Sequence, residues 1–144
     1  MLAWSLPERS TICLCMRAGW GMMEQRFRRA IAALDAANSE DPVVEPDGGG
    51  PVPRALLYSQ RMTTCLNGLA PAASDTLRLA VRAQHLRRWS LPRADYPAGR
   101  AGYHRWRTDL AARHAEECGD IMHRAGYAEA DVSRVQSLLR KESR

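Results

Sequence analysis

The chain has 144 residues, of which 45% are hydrophobic and 6% aromatic, and it carries a formal charge of +5. That length and apolar content predict one globular domain and exclude a disordered chain. The charge suits an anionic partner, but Lys141 is the only lysine and no basic run or aromatic ladder accompanies the arginines, so nucleic acid is not the expected partner.

The first segment, MLAWSLPERSTICLCMRAGWG, has neither helical period nor strand alternation. Residues 1–22 therefore read as an N-terminal extension outside the domain, or as a short arm that packs through Trp4 and Trp20. The apolar run TICLCM is too short for a secretory signal, and no stretch approaches the roughly 20 apolar residues of a membrane span. The cysteines Cys13, Cys15, Cys65 and Cys118 form no matched pair of pairs, so a structural zinc site is not expected. A cytoplasmic protein with free thiols is the expectation.

The helical domain is expected over residues 23–144. From Met23 to Asn38, Phe27, Ala30, Ile31, Leu34 and Ala37 recur at three and four and predict one apolar helical face. The segment from 40 to 53, with four prolines and the run Gly48 to Gly50, reads as a flexible loop. A second helix is expected from Arg54 to Leu69, with Tyr58, Met62, Cys65, Leu66 and Leu69 on one face. Ser74 is a good N-cap for a third helix that continues to Trp89. Along it Leu77, Val81, His85 and Trp89 fall every four residues, which places His85 on an apolar stripe.

The aromatic, proline-rich loop SLPRADYPAGRAGY leads into a long fourth helix, about Arg100 to Arg124. Tyr103, Trp106, Leu110, His114, Glu117 and Ile121 step along one side of it, and Gly126 closes it. His104 and His123 fall off that stripe and are expected to be exposed; Arg105 and Asp109, one turn apart, are expected to pair on the surface. A fifth helix, AEADVSRVQSLLRKE, is expected to bury Val132, Val135, Leu138 and Leu139. No segment shows strand alternation, so the expected fold class is all-α: a single domain of about five helices.

His85 and His114 are the candidate functional residues. Each is either a hydrogen-bonded core histidine or one of two rings that two helices bring to a shared pocket, where imidazole serves acid–base catalysis or metal binding. Arg82, Arg88, Arg105 and Arg107 could hold a phosphate or another anion through guanidinium forks. Trp89, Tyr103 and Trp106 would form an aromatic wall. A divalent metal, if one binds, would draw on His85, His114 and Glu117. No phosphate-binding glycine loop and no nucleophile elbow is present.

The blocks RFRRAIAALDAANSEDP, LLYSQRMTTCLNGLAP, AQHLRRWSLPRADYPAGRAGYHRWR and RHAEECGDIMHRAGY resemble the domain of unknown function family 4202, over roughly Met23 to Glu142. The resemblance implies an all-helical fold. The family's layout is similar to that of HD-type metal-dependent phosphohydrolases, which implies an HD-like domain acting on a phosphate-containing small molecule. Where that superfamily has its His-Asp pair this chain reads Gln84-His85, and Tyr58-Ser59 lies where an earlier histidine is expected. Family members continue beyond the equivalent of LLRKESR, so a C-terminally truncated domain is expected. The alternative function is a non-catalytic anion- or nucleotide-binding module, or a protein-interaction module presenting Trp89, Tyr96, Tyr103 and Trp106.

Overall fold

The computed structural model describes residues 10–142, with side chains from residue 21 onward. In chain order it consists of α1 (Ser10–Asn38), a hairpin of β1 (Val44–Asp47) and β2 (Gly50–Pro53), α2 (Arg54–Leu69), α3 (Asp75–Arg82), α4 (Gly99–Ala125) and α5 (Glu129–Arg140). Two single 3-10 turns, Arg88–Ser90 and Arg93–Asp95, lie between α3 and α4. The chain is mainly α-helical and forms one domain, as its sequence predicts.

The core gathers one stripe from each of four segments. Leu34 of α1, Leu79 of α3, Met122 of α4, and Val132 and Val135 of α5 are fully buried, together with Leu86 from the turn after α3. Each such side chain contributes roughly 1.5–3 kcal/mol over its exposed state. α5 lies along α4 and α3, so the helical hairpin α4–α5 is the largest unit of packing. It turns at Gly126, whose φ of 92° is left-handed, with Gly126 N donating to the His123 carbonyl and Tyr127 N to that of Met122. Only glycine takes that conformation at no steric cost.

Four expectations are corrected. First, α1 begins at Ser10 rather than near Met23. Once a helix is nucleated, each further residue adds a hydrogen bond, so a segment without amphipathic period still extends it. The contacts expected of Trp4 and Trp20 lie outside the described residues and side chains. Second, the expected loop 40–53 contains an antiparallel hairpin, with Val44 opposite Pro53 and Asp47 opposite Gly50. Gly48 and Gly49 form its two-residue turn, a connection that glycine favours. Buried Asp41 anchors the segment: its carboxylate accepts from Val43 N at 2.9 Å and from Ala55 N, in the first turn of α2, at 3.0 Å. The carboxylate thereby satisfies an otherwise open donor at the positive end of that helix.

Third, α2 has the expected range but a different inner face. It buries Ala55, Leu57 and Ser59, while Cys65 is exposed and Leu69 is 87% exposed. Fourth, α3 begins as expected, with Ser74 Oγ accepting from Leu77 N, but ends at Arg82. His85 and Trp89 therefore do not continue the stripe of Leu77 and Val81. Tertiary bonds from the end of α1 override the helical pattern here. Arg82 makes a two-pronged ion pair with Asp35, both bonds at 2.7 Å, and donates to Thr63 Oγ1 at 3.0 Å. Asn38, fully buried, accepts from Arg87 N at 3.1 Å, and Arg87 takes a left-handed φ of 47°.

Two stability predictions follow from these contacts. A Cβ on Gly102, in the first turns of α4, would collide with the Pro97 carbonyl oxygen. Gly102→Ala is therefore expected to cost roughly 1–3 kcal/mol by overpacking against backbone, read as a lowered midpoint in denaturant unfolding. Asp35→Asn leaves the nearly buried Arg82 guanidinium without its counter-charge and is expected to cost on the order of 3 kcal/mol. An unchanged midpoint in either variant contradicts the packing described.

Candidate anion-binding cleft

The turn after α3 places its side chains through a chain of local causes. Leu86 N donates to the Ala83 carbonyl and Arg88 N to that of His85, and the left-handed Arg87 then reverses the chain. Leu86 points into the core, while His85 and Arg88 are left partly exposed. The His85 ring stacks on Tyr58 of α2, with centroids 3.6 Å apart and planes 9° apart. Its Nε2 lies 3.1 Å from Arg88 Nη1. Arginine can only donate, so this nitrogen of His85 accepts and the ring proton sits on Nδ1.

Arg88 is held from a second side by Trp106 of α4, its guanidinium carbon 4.9 Å from the centre of the indole ring. Trp106 is itself fixed, buried, with Nε1 donating to the Leu91 carbonyl at 2.9 Å. That bond and the bonds of Arg93 to the Tyr96 and Pro97 carbonyls hold the loop in front of α4.

An open cleft of about 940 Å³ lies between α3, α4 and the end of α5. His85, His114, Arg88, Arg107 and Tyr103 all line it. So do Tyr58, His104, Arg140 and Lys141, which sequence reasoning did not assign to the site. Its permanent charges are four cations, Arg88, Arg107, Arg140 and Lys141, against one acid, Glu142. A second cleft of about 550 Å³ shares Tyr58, His85 and Arg88 with the first as lining residues. Trp89 and Trp106 belong to this second cleft.

The remaining candidates are engaged elsewhere. Arg82 spends its donors on Asp35 and Thr63 and lines neither cleft. Arg105 is exposed on α4 and also lines neither. Its expected partner Asp109 instead accepts from Tyr96 OH at 2.8 Å. His104 and His123 are exposed, as expected. Arg107 lies over the Tyr103 ring and donates to its hydroxyl at 3.2 Å.

His114 is 94% buried by its 6% residual exposure, and its Nε2 has no hydrogen-bond partner among the described residues. Burial, and then the positive charge of Arg88, lower its pKa from 6.5 to about 4. The same two causes in the same order bring His85 to about 4. Both rings are neutral at pH 7. The expected metal set of His85, His114 and Glu117 does not fit: Glu117 is paired with Arg113 at 2.8 Å, and the charge beside both imidazoles is that of Arg88. Among the described residues no three histidine, cysteine, aspartate or glutamate side chains gather as metal ligands. A cationic neighbourhood opposes a divalent ion and favours an anion.

The depressed histidines have a consequence for stability. An unfolded chain protonates each ring near pH 6.5, whereas the fold resists until about pH 4. The stabilisation is complete above pH 6.5 and is lost as the pH falls toward 4, by on the order of 3 kcal/mol for His114 alone. Replacing His114 by leucine is expected to flatten the fall in unfolding free energy between pH 6.5 and 4.5. A variant that follows the native pH curve would show that the fold does not lower the pKa of His114.

Comparison with known proteins gives one match. The family model of the domain of unknown function DUF4202 matches residues 28–144. No curated protein and no solved structure matches the chain. No described helix is long and apolar enough to cross a membrane. With the match spanning the packed helices and both clefts, the chain belongs to the DUF4202 family.

Proposed function

We propose that the protein binds a small anionic molecule, of the phosphate type, in the larger cleft. One observation carries this reading. Arg88 is a partly buried guanidinium whose hydrogen-bond partner is a neutral imidazole, and it pairs with no carboxylate among the described residues. Several other arginines that are held in place in the fold meet acids, as Arg82 meets Asp35 and Arg54 meets Glu45, whereas Arg107, like Arg88, is held by an uncharged side chain. A guanidinium kept in place by His85 and Trp106 but left without counter-charge is set up to receive one from a ligand. Arg107, Arg140 and Lys141 add to the same field.

The arrangement supports recognition better than proton transfer. A ring with a pKa of about 4 is almost entirely unprotonated at pH 7, so neither histidine begins as a general acid. A metal-dependent phosphohydrolase of HD type needs carboxylates among its imidazole ligands, and the permanent charges acting on these rings are those of arginines. The imidazoles instead act as neutral contacts: His85 orients Arg88, and the unpartnered Nε2 of His114 can bond a ligand oxygen after a small shift of the side chains that cover it.

Calorimetric titration of the full chain with inorganic phosphate at constant ionic strength tests the reading. Binding is expected to be unchanged by chelator, at least tenfold weaker in Arg88→Gln and Arg107→Gln, which corresponds to the loss of a charged hydrogen bond, and unaltered in Arg105→Gln. No binding to the native chain, or equal losses in the Arg105 variant, would contradict it.

A further inference from the structure

The two clefts differ in chemistry although Tyr58, His85 and Arg88 line both. In the larger one the cations Arg88, Arg107 and Lys141 pair with no acid among the described residues. In the smaller one the charges other than Arg88 are already spent. Arg54 pairs with Glu45 at 3.0 Å and Arg61 with Asp47 at 3.6 Å, Arg93 donates to loop carbonyls, and Asp41 accepts from backbone. What it offers a ligand is aromatic surface, from Trp89, Trp106 and Tyr58. The indole N–H of Trp106 is used by Leu91, whereas that of Trp89 donates to no acceptor among the described residues.

We propose that the two clefts are two halves of one site for a phosphate ester carrying a heteroaromatic ring, of the nucleoside monophosphate class, with the phosphate in the larger cleft and the ring against Trp89 in the smaller. Arg88 lines both halves and so faces the junction between phosphate and ring. The combined space exceeds what either part of such a ligand needs, and each cleft alone falls within the usual range for small-molecule sites. Trp89 supplies a face for stacking and an N–H for a ring nitrogen or carbonyl. This proposal rests on the anion-binding reading above.

Titration of the full chain with adenosine 5′-monophosphate, uridine 5′-monophosphate, ribose 5-phosphate and inorganic phosphate separates the two. The nucleotides are expected to bind about tenfold tighter than ribose 5-phosphate, the increment of one base stacked on an aromatic side chain. Trp89→Ala is expected to bring the nucleotides down to the affinity of ribose 5-phosphate and to leave the latter unchanged. The ligand comparison in the native chain stands even if that variant unfolds. Equal affinity for all the phosphates, or nucleotide binding unaffected in a folded Trp89→Ala, overturns the ring subsite and leaves the anion site intact. Failure of every phosphate to bind overturns both.

Discussion

The structure of the site depends on where α3 stops. A continuous helix to Trp89 would carry His85 and Arg88 further along its own axis, at a helical angle to Leu77 and Val81. Instead the last turns of α1 hold the end of α3: Asp35 takes both prongs of Arg82, and Asn38 takes the backbone N–H of Arg87. The charge pair is nearly buried on the arginine side, where a missing partner is costly. The left-handed Arg87 is strained by the absence of glycine, a cost on the order of 1 kcal/mol that the surrounding bonds must offset. From that fixed point the chain presents His85 toward Tyr58 and Arg88 toward Trp106.

The same constraint accounts for the electrostatics. His85 stacks on Tyr58 and accepts from a guanidinium at its edge, so it is partly desolvated and faces a cation. Both conditions favour the neutral ring, and a neutral ring is what can accept from Arg88. Arg88 is thus oriented without being neutralised, unlike Arg82, which is oriented and neutralised by an acid and lines neither cleft. Two arginines six residues apart in one short segment serve opposite purposes, one tying helices together and the other facing open space.

Much of the fold was legible in the residues themselves. Apolar spacing placed the inner residues of α1 and α5, the extent of α2 was read closely although its inner face was not, Ser74 marked the start of α3, and Gly126 marked the end of α4. The site was legible only in part. His114 lies on a clean helical stripe, so its inward position follows from period alone. His85 was placed on the same grounds, but its position is set by Asn38, 49 residues before Arg87, and local pattern carries no record of such a bond. Arg82, Arg88, Arg105 and Arg107 are indistinguishable as residue types; their partners separate them, and Asp35 is 47 residues from Arg82. Tyr58 and the hairpin were missed for related reasons. One stacks on a ring 27 positions away, and the other hides its alternation among prolines, although the two-glycine turn was a usable signal.

The central claim is that Arg88 is steadied by a neutral histidine and kept open for an anion. Nitrogen-15 spectra of the histidine rings at pH 7 test this most directly, with and without inorganic phosphate. The account predicts that His85 carries its proton on Nδ1 alone and that the ring signals of His85 and His114 shift together as phosphate is added, while those of His123 do not. A His85 ring protonated on both nitrogens, or histidine signals indifferent to phosphate, would contradict it.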